Sequence, residues 1–218
     1  MSGITWSFSA LKEYKTCARK YHASRVLKLY PMQDTVATRY GKEVHSAAEY
    51  YVRDGTPVPK GLEFLVPTLD RLKAIKGEKL CELEMAVKHD LTVCDFADEG
   101  RWVRGIADLV ILDGSNAWVM DYKTGSAKYP DKSQLELMAL LIFARYPEVQ
   151  SVKAALIFIH HATLVKASYT RSKQGIMWAK WKADVSLLEA SHVGDKWPPT
   201  QNGLCRKWCP VEHCEHRG

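Results

Sequence analysis

The chain has no apolar run long enough to cross a bilayer, which takes about 20 residues as a helix. No signal peptide precedes Trp6, so the expectation is a cytoplasmic protein without a membrane partner. Internal repeats and low-complexity tracts are also missing, which excludes solenoids and compositionally biased linkers. Without a secretion signal, the six cysteines do not suggest a disulfide framework. They are unevenly placed. Cys205, Cys209 and Cys214 crowd the C-terminus and Cys17 lies near the N-terminus, with Cys81 and Cys94 between. Clustered cysteines in a cytosolic chain point first to a metal. Cys81 and Cys94 read as ordinary buried or half-buried residues.

What is present suits a folded protein. In 218 residues, 46% are hydrophobic, enough for a sizeable core and one domain with a small appendage. The net charge of +6 and a pI near 8.9 push mildly toward polyanionic partners. Basic residues cluster over 12–28, with Arg19, Lys20 and Arg25, and again over 171–182. Solvated helix faces would look the same.

Periodicity gives the elements. Ser7 or Ser9 caps a helix running to about Leu27. A second helix covers 35–51 and ends at Asp54-Gly55; a third covers 62–75. Residues 81–87 alternate as a strand, with Glu82, Glu84 and Ala86 on one face. Asp131 or Ser133 caps a Leu- and Ala-rich helix to Arg145. Residues 152–159 read as a buried strand and 164–170 as its neighbour. Ser172 caps a last helix with Trp178, Trp181, Val185 and Leu188 as its stripe, and Gly194, Pro198, Pro199 and Gly203 lead into the cysteine tail. The order predicts an α/β, mixed α+β fold: a mixed central sheet flanked by helices, not a doubly wound one.

The most informative segment is a hairpin. Two strand-like runs, 102–112 and 117–124, flank Asp113-Gly114-Ser115-Asn116, a turn signal. If Leu112 pairs with Ala117, Asp108 stands opposite Asp121, with Cβ atoms about 4.5–5.5 Å apart. Lys123 returns to that face, along with Ile106, Val110 and Val119. Two carboxylates in an apolar setting are costly, and a divalent cation is the usual compensation. A cross-strand salt bridge at a sheet edge is the plainer alternative.

The hairpin has companions in a set order: Gly41-Lys42-Glu43-Val44-His45 on a helix, Glu84 on a strand, Gly105-Ile106-Ala107-Asp108, Asp121-Tyr122-Lys123, then Gln134-Leu135-Glu136-Leu137-Met138. With these motifs the chain resembles the PD-(D/E)xK nuclease superfamily and, within it, the RecB-like exonuclease group. Met138 departs from the tyrosine of many relatives. The resemblance implies a restriction-endonuclease-like core and a metal-dependent DNA exonuclease. Asp108, Asp121, His45 and the Tyr122 carbonyl would hold Mg²⁺ or Mn²⁺. Lys123 would orient water or neutralise developing charge, Glu84 would be a ligand or general-base assistant, and Gln134 would position Lys123 or the DNA. It also implies a role in phage or prokaryotic recombination, repair or degradation, with a helicase or recombinase as a conceivable partner.

Cys17 and Cys205-x₃-Cys209-x₄-Cys214 match the resemblance as well. Relatives with an iron–sulfur cluster take one cysteine from the N-terminal helix and three from the C-terminus. Four thiolates suit a [4Fe–4S] cluster; zinc, using His213 or His216 without Cys17, is the rival. The expected organisation is one nuclease domain over 1–218, with 192–218 a cysteine-rich tail packed against the N-terminal helix. Two other functions stay open: a non-catalytic DNA-binding module of this fold, and a zinc-stapled interaction protein.

Overall fold

The computed structural model describes residues 3–31, 34–128, 130–161 and 163–217. In chain order its elements are α1 (Phe8–Thr16), α2 (Ala18–Tyr21), α3 (Val36–Asp54), α4 (Val66–Ala74), β1 (Glu78–Val87), β2 (Val93–Cys94), β3 (Val103–Asp113), β4 (Asn116–Lys123), α5 (Ser133–Arg145), β5 (Ser151–Phe158), β6 (Thr163–Thr170) and α6 (Gln174–Gly194). Among the described residues, no helix is long and apolar enough to cross a membrane. The chain divides into two compact units, one of residues 34–178 and a smaller one of the residues before 34 and after 178.

The larger unit is built on a six-stranded sheet of order β2-β1-β3-β4-β5-β6. Neighbours are antiparallel except β4 and β5, which run parallel. A parallel pair needs a long crossover, and α5 supplies it. Seven consecutive α5 residues, Leu137 to Phe143, are buried, as an apolar helix without a polar face requires. On the other side of the sheet, Val44, Ala48 and Val52 of α3 and Leu69 and Leu72 of α4 pack with Leu109, Ile111, Met120 and Tyr122. The Thr35 side chain caps α3, and Gly55 ends it at φ +73, where a side chain would be strained.

In the smaller unit, Trp6 stacks on Trp181 with centroids 5.6 Å apart. The Tyr14 hydroxyl donates to the Leu187 carbonyl at 2.8 Å, and Lys15 pairs with Asp184 at 2.7 Å. The single N-terminal helix expected to reach Leu27 is broken. Cys17 is extended (φ −168°, ψ 113°) between α1 and α2, and one wide helical turn over His22–Val26 follows.

Candidate active site

The sheet carries an irregularity at its centre. Leu109 packs toward α3 and α4. Gly105, four residues earlier, faces α5: a Cβ there would lie 2.5 Å from Met138 Cε and 3.0 Å from Leu141 Cδ1. Positions four apart on a regular strand share a face, so β3 changes face between them. The break falls at Asp108 and its cross-strand neighbour Glu82. Cys81 pairs with Leu109 and Leu83 with Ala107, but Glu82 and Asp108 do not pair. Glu82 has φ +49, a left-handed conformation uncommon for a residue with a side chain.

The hairpin register is the expected one, with Leu112 against Ala117 and the ladder continuing to Leu109–Met120. At the next step it opens. The Tyr122 N–H donates to Asp108 Oδ2 at 2.7 Å. The same oxygen lies 3.4 Å from His45 Nδ1, and His45 Nε2 donates to the Tyr122 carbonyl at 3.0 Å. Asp108 thus turns to α3 and leaves the common face expected for it with Asp121 and Lys123. Those two meet α5 instead. The Gln134 amide donates to Asp121 Oδ1 at 2.5 Å and accepts from Lys123 Nζ at 2.9 Å, while Lys123 Nζ lies 2.5 Å from Asp121 Oδ2. One amide therefore holds both the acid and the ammonium.

Charge is poorly balanced here. Burial, then the nearby Asp108 carboxylate, pushes the buried Asp121 carboxyl up to about 6. Burial and Asp108 also push Glu82 up to about 7. His45 is raised: burial opposes its charge, but the bond to Asp108 prevails. Ligand atoms of His45, Glu82 and Asp108 lie within 4.8 Å of one another. Asp121 Oδ2 is buried and makes no well-directed hydrogen bond, although Lys123 stands beside it. Carboxylates that resist ionisation, one with an under-used oxygen, beside an imidazole form a donor set that fits Mg²⁺ or Mn²⁺.

A second constellation lies in the smaller unit. Cys17, Cys205, Cys209 and Cys214 line one small cavity, which neither His213 nor His216 borders. The Thr200 N–H donates to Cys17 Sγ at 3.4 Å and the Asn202 N–H to Cys205 Sγ at 3.3 Å. Sulfurs about 2.3 Å from one tetrahedral zinc would stand about 3.8 Å apart. Among the described residues, no three of these sulfurs lie within 4.8 Å of one another.

The sequence matches the profile of the PD-(D/E)XK nuclease superfamily over residues 5–75 and 60–214. The chain belongs to the PD-(D/E)XK nuclease superfamily. No protein of curated function matches it. Its fold is similar to that of a candidate exonuclease from Eubacterium rectale, with TM-score 0.57 and 10% identity over 95% of this chain and 88% of that one. A second structure, SSO0001, aligns at TM-score 0.43 and 12% identity over 98% of this chain and 87% of its own, too distant to support an argument.

PD-(D/E)XK nucleases use divalent metals. His45, Asp108, Asp121, the Tyr122 carbonyl, Lys123 and Gln134 are brought together. Glu84 is not: it is exposed on β1 opposite Ile106. The glutamate beside His45 and Asp108 is Glu82, two residues earlier. The register of β1 on β3 places it there, but no tight turn joins these strands, so that register could not be counted from a hairpin. Met138 is buried against Gly105, which explains the departure from tyrosine: this position is packing.

Proposed function

We propose that this chain is a divalent-metal-dependent deoxyribonuclease of the RecB-like type, acting as an exonuclease. The observation that carries the reading is the convergence of His45, Glu82 and Asp108 beside the Asp121–Lys123–Gln134 triangle. A nuclease fold makes DNA the natural substrate, and the basic net charge agrees. His45, Asp108 and Asp121 would hold the ion, with Glu82 in the place first expected for Glu84, and the Tyr122 carbonyl at hand. A bound divalent ion supplies Lewis-acid polarisation of a phosphate oxygen and lowers the pKa of water. The chain's own groups do the positioning. Asp121 and Gln134 hold Lys123 in place, so its ammonium meets developing negative charge without first reorganising. Gln134 would fix the rotamers of both.

Cys17, Cys205, Cys209 and Cys214 would hold a [4Fe–4S] cluster; all four line one cavity that neither His213 nor His216 borders, which supports that over zinc bound without Cys17. A role in recombination, repair or degradation of prokaryotic or phage DNA, in the cytoplasm and alongside a helicase or recombinase, belongs to the same reading through the order of the motifs. The non-catalytic alternative is disfavoured by the intact Asp108, Asp121 and Lys123. The test is incubation of anaerobically purified protein with end-labelled DNA and Mn²⁺ or Mg²⁺. Mononucleotides released from an end, blocked by EDTA, are expected from a protein with visible iron–sulfur absorbance. Internal cuts alone would replace exonuclease by endonuclease, and no cleavage with either ion would remove the reading.

A further inference from the structure

The smaller unit has a second groove, which shares Lys20 and Cys209 with the cysteine cavity. Lys20 and Arg25 border it from the N-terminal segment, and Lys207 and Trp208 from the tail. Glu13 is its one acidic lining residue, and it is already paired with Arg25 at 2.5 Å. Lys20 and Lys207 form no ion pair among the described residues, so the groove presents net positive charge.

Trp208 gives the groove its second character. Trp6, Trp102, Trp178 and Trp181 are buried, whereas Trp208 is 72% exposed. It stacks on no ring among the described residues. Leu29, also on the wall, is 61% exposed. An open indole beside free ammonium groups matches two requirements of one ligand class: a π face for a flat base, and cations for a phosphate backbone. Inside a duplex both faces of each base are covered, so the indole favours an unpaired base.

We propose that this groove binds single-stranded DNA, with a base stacked on Trp208 and the backbone held by Lys20, Lys207 and Arg25. The proposal rests on the DNA-directed reading above and adds a strand preference to it.

The test is anisotropy of a labelled oligothymidylate with the full chain in EDTA, where no turnover occurs, and of the same strand within a blunt duplex. Trp208→Ala should weaken oligothymidylate binding about tenfold or more, within the range of base–aromatic stacking. It should leave the salt dependence and duplex binding unchanged, and Trp208→Phe should restore most of the affinity. Lys20→Ala with Lys207→Ala should reduce the slope of log K against log salt by about 1.4, roughly 0.7 per lost phosphate contact. If Trp208→Ala lowers the melting temperature, this lysine pair decides. Wild-type affinity in Trp208→Ala, equal losses on single strand and duplex, or an unchanged slope in the lysine pair would each overturn the proposal. Trp208-dependent binding by a protein that cleaves no DNA would remove the nuclease reading and keep this one. Cleavage without Trp208 dependence would do the reverse.

Discussion

Glu82 holds a backbone conformation that costs a residue with a side chain roughly 1–3 kcal/mol. In return, its carboxylate comes within reach of His45 and Asp108. Glu84, two residues along the strand, has no such geometry. Glu82→Gln is therefore expected to reduce Mn²⁺-supported cleavage on the order of 10–100-fold through a weaker ion site, while Glu84→Gln stays within about twofold; parallel rate measurements at subsaturating Mn²⁺ check this. His45 is held by two bonds to the strands beneath it. His45→Ala should weaken Mn²⁺ binding about tenfold or more, near 1.4 kcal/mol, without removing DNA binding. Calorimetric titration reads the difference, and equal affinities would make His45 a packing residue. At this scale the sequence was partly legible. Asp121 and Lys123 could be placed because a tight turn fixes their register, whereas Asp108 leaves the face expected for it. Glu82 could not, because the chain between β1 and β3 passes through β2 first and no pattern announces a left-handed glutamate.

At the scale of elements, the site depends on how closely α5 lies against β3. Gly105 has no Cβ, and Met138 fills that space. Gln134, one turn earlier on α5, then reaches Asp121 and Lys123. Gly105→Ala should destabilise the fold by about 1–2 kcal/mol through overpacking, with the flexible end of Met138 absorbing part of the strain. The same change made beside Met138→Ala should cost less. A double-mutant cycle on urea unfolding measures that coupling, and additive effects would contradict the contact. Most elements could be read from periodicity and caps: α3 ends at Gly55, and the hairpin keeps its register. Two features could not. The helix break at Cys17 arises where the side chain meets the Thr200 N–H, 183 residues away, and local periodicity is blind to such a partner. The face change in β3 leaves the pattern of apolar residues unaltered on both sides, so strict alternation placed Asp108 with Val110 and Val119.

For the whole molecule, the cysteines join the two ends of the chain around one cavity. A link from Cys17 to the tail closes a loop of nearly the full length, and its loss should cost on the order of 4–5 kcal/mol if it acts like a disulfide of comparable span. With the proposed cluster in that cavity, Cys17→Ser is expected to lose its iron and melt earlier, whereas Cys94→Ser keeps its iron and its melting temperature. Iron analysis and thermal melts of the two variants compare them directly, and full iron in Cys17→Ser would place the metal on the tail alone. The central claim is nearer the sheet: a divalent-metal nuclease centre built on Asp108, Asp121 and Lys123. Its most direct test is Mn²⁺-dependent cleavage of end-labelled DNA by wild type, Asp108→Ala and Lys123→Ala, with circular dichroism confirming that all three fold. Cleavage by wild type alone is the result expected; undiminished turnover by both variants at saturating Mn²⁺ would contradict it.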